Sequence, residues 1–227
     1  MTNATTPAIN RLTVDIVSDI VCPWCWLGLR YFNEAAAQMP FEVELIWHPY
    51  MLDPNVPSKG MAYTDYMRAK FGDGPSNKFK AMRDHLETAG PDLGIEFKFS
   101  GIPMRPNTLK AHRLMHWAGG QGLATEMAEA LFQAFFTDHR DVGNNVVLCE
   151  IAQQVGMDAA LTAELLESDR DSDVVQAEIT HFQKLGISGV PTFIYNRQFV
   201  VQGGQPTQAH ISALQKAAEI TTNAQVH

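Results

Sequence analysis

The sequence predicts a mixed α/β chain in which two α/β segments flank a long helical block. Three observations predict it. Residues 12–17 alternate between apolar and polar types and lead into a helix opened by Cys22-Pro23-Trp24-Cys25, after which residues 41–47 alternate again. From residue 61 to about 185 the pattern changes to helical segments broken by glycine and proline. The strand pattern then returns over residues 189–195, turns at Asn196-Arg197 and runs back over 198–201, which is a hairpin signal. At 227 residues and 45% hydrophobic, the chain suits one generous domain or a domain with a large insertion.

In chain order, residues 12–17 are the first strand. Residues 23–38 are a helix, with Leu27, Tyr31 and Ala35-Ala36-Ala37 as packing positions and Pro40 as its stop. Residues 41–47 are a second strand, apolar at Phe41, Val43, Leu45 and Trp47. A strand–helix–strand unit implies a right-handed crossover and parallel strands. Pro49, Pro54 and Pro57 make residues 49–60 a loop. The helical block resolves into segments 62–71, 77–89, 108–118, 124–137, 145–155, 159–167 and 171–185. Breaks fall at 72–75, 91–94, 119–120 and 143. Within it, residues 95–99 alternate and can be extended. Leu131, Phe132, Phe135 and Phe136 share a helical face and read as core. Gly203-Gly204 precedes a last helix over 207–221.

The chemistry concentrates at Cys22 and Cys25. The first N–H groups of a helix lack internal partners and carry partial positive charge. A sulfur on the N-cap side of them is favoured as thiolate. Pro23 suits the first helical position, where its missing N–H costs little. Cys25 lies one turn on, within reach of Cys22. Cys22 is therefore assigned as the exposed nucleophile and Cys25 as the more buried resolving thiol, with Trp24 an apolar contact beside the sulfur. The bland alternatives are an inert core pair, or half of a zinc site, which needs a second Cys/His pair that a chain without another CxxC does not supply. Cys149, in the apolar run Val146-Val147-Leu148, reads as a buried core thiol. Asp15 and Asp19 lie upstream; a buried carboxylate there can relay a proton for Cys25, but exposed strand-end aspartates are commoner. His112 and His116 are one helical turn apart without a third ligand, so no metal is assigned. No cofactor is assigned either.

Charge narrows the partners. A net charge of -8 and a pI near 5.4 leave no basic surplus for nucleic acid, and no basic amphipathic stretch suggests a membrane surface. The polar start, residues 1–11, carries no secretory signal pattern, which places the chain in the cytoplasm as an expectation. In that compartment a structural disulfide is disfavoured, so a CxxC reads as catalytic or sensing. Oligomeric state is not legible.

Two separated motifs, Ser18-Asp19-Ile20-Val21-Cys22-Pro23-Trp24-Cys25 and Gly186-Ile187-Ser188-Gly189-Val190-Pro191-Thr192-Phe193, resemble those of the DsbA-like thiol–disulfide oxidoreductases. The likeness runs from about Leu12 to Leu214 and is strongest to the FrnE-like branch, which lacks secretion signals; Asn107 to Arg113 also resembles a stretch of that branch. The resemblance implies a thioredoxin fold, residues 12–60 plus 187–222, with a helical insertion domain at 61–186. It further implies that Pro191 is cis and faces the CxxC. Val190 would then pair with an extended substrate segment. Trp24, Val190 and Pro191 become the substrate-binding residues, and a disulfide- or thiol-bearing protein or glutathione becomes the partner. The competing reading is a glutathione-dependent isomerase or transferase on a small aromatic substrate. Relatives of that kind tend to lack a cysteine where Cys22 stands. A third is a chaperone-like module whose thiols are secondary.

Overall fold

The computed structural model describes residues 11–72 and 77–225; the predicted break at 72–75 lies largely outside them. Strand β1 (Arg11–Ser18) pairs in parallel with β2 (Glu42–Pro49) across helix α1 (Pro23–Ala36), with Val14 opposite Leu45. On its other side β1 pairs antiparallel with β5 (Thr192–Tyr195), Ile16 opposite Phe193, and β5 pairs antiparallel with β6 (Phe199–Gln202). The sheet order is β2-β1-β5-β6. The hairpin turns where expected. Gln198 N–H donates to Tyr195 O at 3.0 Å. Asn196 and Arg197 take φ of 50° and 56°, the mirror-image turn that matches strand twist.

Between β2 and β5 lie α2 (Tyr63–Phe71), α3 (Asn77–Ala89), α4 (Leu109–Gly119), α5 (Ala124–Phe136), α6 (Asn145–Gln154), α7 (Ala159–Glu167) and α8 (Ser172–Lys184). The last helix, α9 (Thr207–Gln225), runs a turn past its predicted end. Asn144 and Asp158 cap α6 and α7 by accepting N–H bonds from the first turn. None of the described helices is long and apolar enough to cross a membrane.

Three local readings change. Residues 95–99 keep their alternation, with Ile95, Phe97 and Phe99 buried, but join no sheet; Lys98 N–H instead donates to Phe136 O at 2.9 Å. Two-residue strands Met61–Ala62 (β3) and Met104–Arg105 (β4) pair antiparallel, and they are too short to leave a period in the sequence. Asp15, read as an exposed strand-end residue, is buried.

The reason for that last change organises the whole molecule. Leu12, Val14 and Ile16 face a core built with Phe32 of α1, Phe193 and Tyr195 of β5, and Leu214 of α9. The opposite face of β1 carries Asp15 and Val17, and α8 covers it: Val17 packs with Tyr50 and Phe182. The largest core runs from Ile20 to Leu29 straight into the helical block. There the Trp26 ring stacks on Phe132 at 6.0 Å and meets Phe97 edge-on at 5.4 Å. Leu131, Phe132, Phe135 and Phe136 are all buried in it. The first half of helix α1 is therefore packed on both sides, holding the CxxC at its start, while Asn33 and Glu34 near its end stay exposed.

Candidate active site

Cys22 is the N-cap residue of α1, in extended conformation, with Pro23 opening the helix. Its backbone N–H donates to Asp19 O at 3.0 Å, and its carbonyl accepts from Cys25 N–H at 3.0 Å. The turn thus presents both thiols at the end of β1. All three cysteines are free. Across the gap, the Val190–Pro191 peptide is cis, and the Cys22 thiol donates to Val190 O at 3.5 Å. Residues 168 positions apart in sequence meet at the sulfur.

Cys22 is not the exposed thiol the sequence suggests. It keeps 4% of its surface and Cys25 keeps 0%, because Val190 and Trp24, both only half-buried, close over the pair. The order of access holds; the opening is far smaller. Burial pushes the Cys25 thiol well above its usual range, and the neighbouring Cys22 sulfur raises it further. Cys25 therefore stays protonated until something takes its proton.

Close approach needs two glycines. A Cβ on Gly28 would sit 3.1 Å from the Pro191 ring, and one on Gly204 would sit 3.0 Å from Trp24. Trp24 stacks against His85 of α3 with centroids 5.4 Å apart, so the helical block contributes a ring beside the thiols.

Buried charge surrounds the pair without touching the sulfurs. Asp19, also read as exposed, is fully buried; Oδ2 accepts from Leu52 N–H at 2.8 Å, and Oδ1 lies 3.3 Å from His112 Nε2. His112 Nε2 donates to Tyr50 O at 2.8 Å, which explains its burial without a metal. Asn107 is also structural: its amide donates to Val56 O and accepts from Leu109 N–H. Arg105 donates to Val21 O at 3.2 Å, pairs with Asp53 and stacks over Tyr66. Among the described residues, no group of three or more His, Cys, Asp or Glu could hold a metal ion. Cys149 is half-buried at the edge of the core, not buried as read; Val146 beside it is 66% exposed, because the apolar run wraps around α6 and cannot all face inward.

Sequence reasoning missed His48, Glu178, Arg105 and His85. Each acts across an element boundary, and none carries a spacing signal. His48 Nε2 lies 2.7 Å from Asp15 Oδ1, and Nδ1 lies 2.6 Å from Glu178 Oε1.

This arrangement of sheet, CxxC helix, covering helices and facing cis-proline defines a thioredoxin fold with a helical insertion. Residues 13–215 match the DSBA-like thioredoxin domain, and the chain belongs to that family. It is 29% identical over 182 residues to the uncharacterized Bacillus subtilis protein YwbO, covering 80% of this chain and 85% of that one. The crystal structure of a probable DsbA oxidoreductase from Streptomyces coelicolor superposes with a TM-score of 0.83 at 29% identity, covering 91% of this chain and 89% of that one. A 2-hydroxychromene-2-carboxylate isomerase shares the fold at a TM-score of 0.69 and 15% identity, over 95% of this chain and 99% of that one.

Proposed function

We propose that this chain exchanges disulfides of protein substrates through Cys22 and Cys25. The observation that carries the reading is the Cys22 thiol held 3.5 Å from the carbonyl of Val190, immediately before cis Pro191. An extended substrate strand pairing with the Val190 backbone places its disulfide beside Cys22. The Cys22 thiolate attacks one substrate sulfur. A Cys22–substrate bond forms, the substrate disulfide breaks, and the leaving sulfur takes up a proton. Cys25 then loses its proton and attacks Cys22 Sγ. The Cys22–Cys25 disulfide forms, and the second substrate thiol departs. Two electrons have passed to the substrate, and a dithiol or two glutathione molecules must return them. The raised Cys25 pKa separates the steps, since that sulfur is no nucleophile until deprotonated.

In this reading residues 12–60 with 187–222 are the catalytic unit. Residues 61–186 close it, Trp24 and Pro191 line the entry, and the setting is cytoplasmic, which favours reduction or isomerisation over net oxidation. The likeness to the isomerase is one of fold. The intact Cys22/Cys25 pair weighs against moving its chemistry here.

The test is to equilibrate the protein in glutathione redox buffers and follow tryptophan fluorescence, since Trp24 and Trp26 bracket Cys25. One reversible two-electron transition, absent in Cys22→Ser, is expected. A signal independent of the buffer's potential would overturn the proposal.

A further inference from the structure

His48 is half-buried between elements that are distant in sequence. Both ring nitrogens face carboxylates: Asp15 of β1 at 2.7 Å and Glu178 of α8 at 2.6 Å. A neutral imidazole has one N–H, so one nitrogen would turn a lone pair on a carboxylate oxygen. An imidazolium donates to both. Burial works against that charge, but the bonds and charges of Asp15 and Glu178 outweigh it, and the pKa of His48 lies above 6.5. The other ionisable groups around it are few. Arg197 of the hairpin turn reaches Asp15 Oδ2 at 3.9 Å while largely exposed. His112 and His116 of α4 line the cavity of about 40 Å³ that His48 and Glu178 share. His181 of α8 meets the Phe182 ring edge-on.

What this cluster holds is the segment opposite the thiols. Phe182, one turn beyond Glu178, packs on the His48 ring with centroids 4.5 Å apart. Phe182 also joins Val17 and Tyr50 in a core to which Ile187 and Val190 add their side chains. Its carbonyl accepts from Ile187 N–H at 3.1 Å, and the chain reaches Val190 three residues later. Moving α8 off the sheet therefore moves Val190.

Building on the thiol–disulfide reading above, we propose that Asp15, His48 and Glu178 form an ionic latch that sets the Val190–Pro191 segment against Cys22. They are positioning residues for binding an extended peptide disulfide. A histidine whose folded pKa is raised contributes fully below its unfolded value of about 6.5 and loses that contribution as pH rises through the folded value. The latch is closed at low pH and loosens as pH climbs.

The test compares two substrates of the full chain: a fluorogenic extended peptide disulfide, which needs Val190, and dithiobis(nitrobenzoate), a small disulfide that does not. Glu178→Ala is expected to raise the peptide KM about fivefold or more, the scale of one lost hydrogen bond, with the small-disulfide rate held within about twofold. Glu178→Gln, which keeps an acceptor but loses the charge, restores only part of the peptide KM. In the wild type the peptide KM rises with pH above about 6.5 relative to the small disulfide, and His48→Gln flattens that ratio. Equal effects on both substrates, or none on either, overturn the latch. If Glu178→Ala fails to fold, a flat wild-type ratio overturns it. A wild type that reduces neither substrate instead removes the thiol–disulfide reading, and the latch falls with it.

Discussion

Two sites beside β1, one fully buried and one half-buried, treat desolvation in opposite ways. At the end of the strand Cys25 is enclosed with no opposite charge, and its ionised form is disfavoured. On the α8 face His48 is enclosed between two carboxylates, and its ionised form is favoured. Desolvation opposes charge in both; the partners decide which state survives. A sulfur that must react late is left uncompensated, and a ring that must hold two elements together is compensated twice.

The sharpest way to break this comparison is to remove the outer sulfur. Cys22→Ser should lower insulin-type disulfide reduction by about a thousandfold or more, since the remaining buried thiol stays protonated. Comparable activity in that variant would mean Cys25 is not silenced by burial. Next in size is Asp15→Ala, which leaves the imidazolium with one partner. Urea unfolding should show a loss of about 1.5–3 kcal/mol, the scale of one charged hydrogen bond, largest below pH ~6.5 and shrinking as His48 deprotonates. A loss independent of pH would point to packing instead.

A second histidine sharpens the contrast. His210 is fully buried against the Tyr195 hydroxyl at 2.6 Å, and burial pushes its pKa down to about 4. Its neutral form is native, so its contribution is present above about 6.5 and is lost as pH falls toward 4. The shift corresponds to about 3 kcal/mol, readable as an acid-side drop in urea stability that His210→Gln diminishes. The smallest effect is expected at Glu129. It accepts from the Trp26 indole at 2.7 Å and from Arg30 at 2.8 Å while burial raises its pKa. Glu129→Gln keeps an acceptor for Trp26, trades an ion pair for relief of desolvation, and should shift stability by under about 1 kcal/mol.

Local signals made much of this legible. The glycine and proline breaks bracketed α2 to α8 within a residue or two, because those helices depend on their own periodicity and punctuation. The CxxC at a strand-to-helix junction and the Val190-Pro191 motif were readable for the same reason. What stayed hidden depends on partners far away in sequence. Asp15 and Asp19 look like surface aspartates until α8 and His112 cover them. His48 in Trp47-His48-Pro49 has no spacing to mark it. The exposure of Cys22 was misread because the N-cap position says nothing about Val190, which arrives from the other end of the chain to cover it.

The central claim is that Cys22 is the sulfur that meets substrate. Cys25→Ser should accumulate a mixed disulfide when incubated with a peptide disulfide, and mass spectrometry of the digested adduct tests it directly. The account predicts the peptide attached to Cys22. Attachment to Cys149, or no adduct at all, would contradict it.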